Sequence, residues 1–270
     1  MHTRTLKTLA LALTFWLALH CSTLRAQLLA TTSNSVASFG VDSNGLLFAT
    51  GTIGTGSLSL SGAGTRMFWY PKQAAFRAGN VSGTLWDSAN IGAYSVAFGH
   101  STKASGQYSF AMGSLSVASG DGSLAVGINA VASGFASSSL GGYSTASGDY
   151  STALGAGTAS GPSSTASGYS LASGSASFTS GYGTTASGDC STASGLYTTA
   201  SSYASTAFGT FNVGGGNPST YVSTDPLLEL GNGTDATHKS DALIVYKNGN
   251  AIFQGVVSVA PSGDIPMFGH

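Results

Sequence analysis

Small apolar and polar positions fall on a seven-residue beat between residues 92 and 209. Glycines stand at 92, 99, 106, 113, 120, 127, 134, 141, 148 and 155, then at 161, 168, 174, 181, 188 and 195, with two steps shortened to six. Ser202 takes the next beat and Gly209 closes the series. Two residues before each beat stands a small residue: Ala97, Ala104, Ala111, Ala118, Ala125, Ala132, Ser139, Ala146, Ala153 and onward to Ala207. The residue directly before glycine alternates in kind. It is Phe98, Met112, Val126, Leu140 and Leu154 on one beat and Ser105, Ser119, Ser133 and Ser147 on the other. The true repeat is therefore fourteen residues.

A period of seven suggests a coiled coil, but glycine costs about 1 kcal/mol relative to alanine in a helix. There is also no apolar seam with charged flanks. As strands the pattern works. Tyr94-Ser95-Val96-Ala97-Phe98-Gly99 alternates with period two, and the glycine is read as the turn. Two short strands and two tight turns make one coil of a thin, all-β solenoid with Ala and Ser inside. Coils stacked about 4.8 Å apart give a rod roughly 40 Å long.

Phe98, Met112, Val126, Leu140 and Leu154 then form a one-sided apolar ladder, resumed at Phe208. A bore this thin has no room for that ladder, so a second copy of the chain is expected to cover it. From 156 to 202 the residue before glycine is always Ser, so the interface is expected to be weaker there.

Tyr-Ser-Val-Ala-Phe-Gly at 94–99, followed by Ala-Ser-Gly seven residues on, resembles the head repeats of the trimeric autotransporter adhesins, the YadA-like heads. The resemblance covers about 92–209. It implies a homotrimer of left-handed parallel β-rolls displayed on a bacterial outer membrane surface and used for attachment. It also places Ala97 and Ala111 inside, and Phe98, Met112, Val126, Leu140, Leu154 and Phe208 toward the trimer axis. Residues after 209 match neither the coiled-coil stalk nor the membrane strands with which that family ends, so a secreted form is also open.

The flanks differ. Residues 1–26 read as a secretory signal: Arg4 and Lys7, an apolar Leu9–Leu19, and a cut after Ala26. Residues 27–90 form an N-terminal β-rich region. Its end, 65–90, concentrates Arg66, Phe68, Trp69, Tyr70, Lys72, Phe76, Arg77 and Trp86. These are a cap on the solenoid, which repeat proteins need. Alternatively Trp69, Tyr70, Trp86, Arg66 and Arg77 form a platform for a glycan, a matrix protein or another surface ligand. Large aromatics more often pack than stand exposed, which favours the cap. Residues 210–270 read as three strands, Leu227–Leu230, Ala242–Tyr246 and Ala251–Val257, with an Asn248-Gly249 hairpin turn. That stretch resembles the β-segment before the self-cleaving chaperone of phage tail-fibre proteins.

Composition narrows the function. Only 7% of the 270 residues are charged, and removing 1–26 leaves six basic against ten acidic residues. Nucleic-acid binding needs clustered Lys and Arg and is excluded. No later apolar run approaches the ~20 residues of a membrane helix. Cys190 remains without a disulfide partner and takes the place of Tyr94, Tyr108 and Tyr150 in its unit. No metal, cofactor or catalytic set is expected: the histidines lack metal-ligand spacing, and Glu229, the sole Glu, has no visible carboxylate partner. Asp121, Asp149 and Asp189 each follow a beat glycine and read as turn residues. Three classes remain: an adhesin-like structural head, an ice- or crystal-binding solenoid, and a carbohydrate-processing solenoid. The spread of acids speaks against the last, and the irregular Thr against the second.

Overall fold

The computed structural model describes residues 38–41 and 47–255. The stretch expected to be a signal segment, the residues just after it and the stretch beyond 255, with the expected end of the third C-terminal strand, lie outside the described residues.

The fold is an all-β solenoid of about eight coils. Long strands Val96–His100, Phe110–Ser114, Leu124–Ile128, Ser138–Gly142 and Thr152–Gly155 stack in parallel. Their partners are fourteen residues apart, as in Ala97↔Ala111 and Ala111↔Ala125. Two-residue strands at Lys103–Ala104, Val117–Ala118, Val131–Ala132 and Thr145–Ala146 make a second parallel stack. The shortened steps are thirteen-residue coils, with Leu154 opposite Ser167 and Thr165 opposite Phe178. In Thr165–Ala172 and Phe178–Ala186 the two strands of a coil run together.

The core is the bore between the stacks. Ala97, Ala111, Ala125 and Ala153 line one wall and Ala104, Ala118, Ala132 and Ala146 the other, all fully buried. Ser95, Ser109, Ser123, Ser137 and Ser151 are buried beside them. Ser139, standing in an alanine position, donates its hydroxyl to the Ser144 carbonyl at 2.9 Å. Ser95 and Ser109 donate to the Gly92 and Gly106 carbonyls at 2.6 Å, whereas the hydroxyls of Ser123, Ser137 and Ser151 are buried without a partner, so small size rather than hydrogen bonding is what all five share.

The glycines act differently from the sequence reading. A Cβ on Gly106 would overlap the carbonyl oxygen of Gly120 in the next coil, although Gly106 has no positive φ. Glycine is therefore required by coil-to-coil approach, and on the alternate beats, as at Gly99 and Gly113, by a positive φ as well. Corner residues in the left-handed region lie two positions later and are mostly not glycine: Tyr94, Tyr108, Leu115, Asn129, Tyr143 and Tyr150 all have φ between 53° and 60°. Each strained corner is tolerated because the stacked coils over-determine it. Asp121, Asp149 and Asp189 reach one coil back and accept from the amides of Gln107, Phe135 and Ser175 at 2.8–2.9 Å.

Both ends of the bore are plugged. At the start, the hairpin of Gly64–Tyr70 with Ala75–Val81 lays its second strand parallel on Val96–His100. This puts Arg77 in the alanine column, opposite Ala97. Its guanidinium donates to the carbonyls of Phe76, Ser95 and Ala104 and to the Ser95 hydroxyl at 2.8–3.0 Å. Trp86, fully buried, donates its indole N–H to the Thr102 carbonyl at 2.8 Å.

At the other end, Pro226–Asn232 pairs in parallel with Thr206–Thr210, and Asp241–Tyr246 and Ala251–Phe253 add antiparallel strands. Glu229 falls opposite Ala207 and closes the alanine column. Its carboxylate accepts from the Gly214 amide at 2.9 Å and the Asn212 side chain at 3.0 Å. The Asn212 amide group imitates a further peptide, accepting from Thr199 N and donating to Thr199 O at 2.7 and 2.9 Å.

Sequence reading found no partner for Glu229. The antiparallel pairing brings buried Asp241 close enough to act on its charge. Burial pushes the Glu229 carboxyl up to about 7, with the Asp241 charge pushing the same way. Burial raises Asp241 as well. The folded chain therefore keeps a proton on Glu229 that the unfolded chain, with its ordinary value of 4.5, has already released. That stabilisation is complete below the unfolded value and is lost as pH rises through about 7. The C-terminal cap is expected to melt at a lower temperature at about pH 8 than at about pH 5. Glu229→Gln should flatten most of that difference, and a cap equally stable at both pH values refutes the assignment.

Candidate functional site

Residue-to-residue register builds one surface that the bore cannot absorb. Phe98, Met112, Val126, Leu140 and Leu154 stand directly above one another, on the outward side of the long strands. Above Leu154 the column runs Ser167, Ser180, Ser194, Phe208 and Leu230. In the isolated chain Met112 is 46% exposed and Phe208 42%. Phe98, Val126 and Leu154 are half-buried.

A second column lies on the same face. Phe76, Val96, Phe110 and Leu124 occupy the position two residues before the ladder. Phe76 and Phe98 have ring centroids 5.6 Å apart, and Phe98 and Phe110 6.1 Å. The sequence reading missed this column. Its signal was the residue before each interior alanine, which is apolar in the first coils and becomes Ser138 and Thr152 later. The apolar face is thus two residues wide near the cap and one wide by Leu154.

The aromatic cluster of 65–90 divides between inside and outside. Trp86 and Arg77 are fully enclosed and Tyr70 is 4% exposed. Tyr70 packs with Ala75 and Ile91, and Phe68 meets Trp86 edge-on with centroids 6.3 Å apart. Arg66 lies over the Phe68 ring at 6.0 Å and donates to the Gly62 carbonyl. Among the five residues read as a ligand platform, only Trp69 presents a large aromatic surface to solvent, at 39%. The cluster therefore does not form one open platform: hydrogen-bonding to first-coil carbonyls draws Arg77 and Trp86 inward.

Among the described residues no group of three His, Cys, Asp or Glu is placed to hold a metal ion. Cys190 is exposed at a left-handed corner, in the column of Tyr94 and Tyr108. His238 pairs with Asp235 at 2.8 Å on an exposed loop. The Glu229–Asp241 pair is spent on backbone amides inside the cap. No described helix is long and apolar enough to cross a membrane.

Parallel two-strand coils, a bore filled with methyl groups and an outward apolar ladder define a β-roll repeat protein. Residues 91–116, 118–134 and 132–158 match the model of the YadA head domain repeat, and this part of the solenoid is similar to that repeat. The match ends at the first thirteen-residue coil, while the coils continue in register to Thr210. No curated protein matches the chain.

Proposed function

We propose that the protein is an exported, adhesin-like structural head that trimerises through the long-strand face and attaches by repeated contacts at the cell surface or after secretion. The observation that carries this reading is the ladder from Phe98 to Leu154. A bore that accepts only Ala, Ser and Thr leaves these side chains half exposed, and contiguous apolar patches of this kind mark association surfaces. Three chains bring three copies of every weak contact, which raises avidity without new chemistry. The serine stretch at Ser167, Ser180 and Ser194 leaves that part of the interface thinner.

Sedimentation tests the assembly. The chain from residue 27 onward should sediment near three times its own mass. Met112→Glu with Leu140→Glu should give monomers that keep the β-sheet spectrum. Both positions are exposed in the single chain, so the substitutions cost its fold no more than about 0.5 kcal/mol each. A monomeric parent chain, or a variant that sediments like the parent, overturns the proposal.

A further inference from the structure

The two thirteen-residue coils cut a notch into one corner of the rod. In the fourteen-residue coils this corner carries a left-handed residue, as at Leu115, Asn129 and Tyr143, and again at Tyr197 and Phe211. The shortened coils carry no side chain there: Gly155-Ala156-Gly157 and Gly168-Tyr169-Ser170 turn the corner with one residue fewer, and the left-handed residue is the glycine itself, Gly155 (φ 72°) or Gly168 (φ 88°). In the coil after them the corner residue is Gly183, which has no side chain. The result is an open notch of about 390 Å³ between Tyr143 and Tyr169. That volume falls in the range of small-ligand sites, about 300–1,000 Å³.

Two of its walls are rings, Tyr143 and Tyr169, and Tyr169 ends an aromatic row. Tyr169 stacks on Tyr182 with centroids 5.2 Å apart, Tyr182 meets Tyr197 at 5.5 Å, and Tyr197 stacks on Phe211 at 4.9 Å. This aromatic row climbs one ring per coil and stops at Tyr169, because the coil below has Ala156 in that place. Tyr143 stands one coil further down. Its ring stands one position later in the corner than Tyr169, and both tyrosines line the notch, so a flat ring entering it meets an aromatic side chain from the coil above and from the coil below. Tyr143 is 71% exposed and Tyr169 61%.

The floor is hydroxylic and uncharged. Thr158, Ser170 and Thr185 line it, and no charged residue does. Thr184 is 1% exposed, lines the same notch, and its hydroxyl has no hydrogen-bond partner. Stacking faces with neutral donors and acceptors suit a ring that is apolar on its faces and hydroxylated at its edge.

We propose that this notch binds a neutral saccharide, one pyranose ring seated on the empty rung between Tyr143 and Tyr169. A charged glycan finds no counter-ion there. A proline ring stacks equally well but leaves the threonine hydroxyls unused. The site lies on one chain at a corner, apart from the apolar ladder, so it stands or falls independently of trimerisation.

Calorimetric titration of the chain from residue 27 onward with neutral gluco-, galacto- and manno-oligosaccharides tests it, with a sialylated oligosaccharide and a proline-rich peptide as counter-probes. One neutral series should bind, and both Tyr169→Ala and Ala156→Trp should weaken it about tenfold or more. Ala156→Trp fills the rung from a partly exposed position, so sedimentation and melting temperature should stay unchanged. Thr185→Val, which keeps the shape, should weaken binding several-fold. Three results overturn the proposal: no neutral saccharide binding at about 5 mM, binding that survives Ala156→Trp, or loss on Ala156→Trp of the peptide or sialylated probe alone.

Discussion

Gly141→Ala is expected to abolish folding, whereas Gly142→Ala, one residue further on, should be harmless or slightly stabilising. A Cβ on Gly141 would lie 2.5 Å from the Gly155 carbonyl oxygen and 2.9 Å from the Gly155 Cα and nitrogen. Its φ of +133° is also a region that side chains rarely adopt. The obstacle is backbone held by ladder hydrogen bonds on both sides, so it cannot step aside as a flexible side chain would. Relief requires breaking the register of coils in the middle of the rod, which exceeds about 4 kcal/mol. Gly142 has nothing within 4 Å of its virtual Cβ and no positive φ. Alanine there restricts the unfolded chain and should add about 0.4–1 kcal/mol. Soluble yield and urea midpoints of the two variants decide it. Similar behaviour of both would mean that neither the coil spacing nor the backbone conformation at Gly141 requires glycine.

The same pair of glycines shows what the sequence made legible. The beat gave the coil length, the interior alanines and the apolar ladder, because a stacked coil repeats its environment every fourteen residues and each position keeps one role. The physical reason for the glycines was not legible, since a contact between Gly141 and Gly155 exists only once the coils are stacked. The plugs were hidden for a related reason. Arg77 pairs with Ala97, twenty residues on, and Glu229 with Ala207, twenty-two residues back. Loops at both ends break the beat, so neither residue could be counted into the alanine column. Arg77 was instead grouped by composition with the exposed Trp69. The notch was written in the two shortened steps, but a missing residue says which coil is short and not which corner loses a side chain.

Arg77→Ala is expected to destabilise the N-terminal end of the rod by about 3–5 kcal/mol. Two losses add. A long side chain that fills the mouth of the bore becomes a methyl group, leaving a void under Ala97 and Ala104. Four hydrogen bonds of 2.8–3.0 Å from the guanidinium also disappear. The cation has no carboxylate among those partners and is solvated by carbonyls and one hydroxyl. Burial draws its pKa down to about 10, so it stays charged at neutral pH and its desolvation already weighs against the fold. Arg77→Met separates the two losses. It restores most of the volume and removes the buried charge, and the Ser95 and Ala104 carbonyls keep backbone donors in Phe76 N and Gly92 N. Its cost should be about half that of alanine or less. Equilibrium denaturation, with hydrogen exchange followed at the Val96 and Lys103 amides, reads both variants. If alanine costs less than about 1 kcal/mol, the cap hairpin and Trp86 close the bore without Arg77. If methionine costs as much as alanine, the charge-assisted hydrogen bonds outweigh the volume, and the plug is electrostatic.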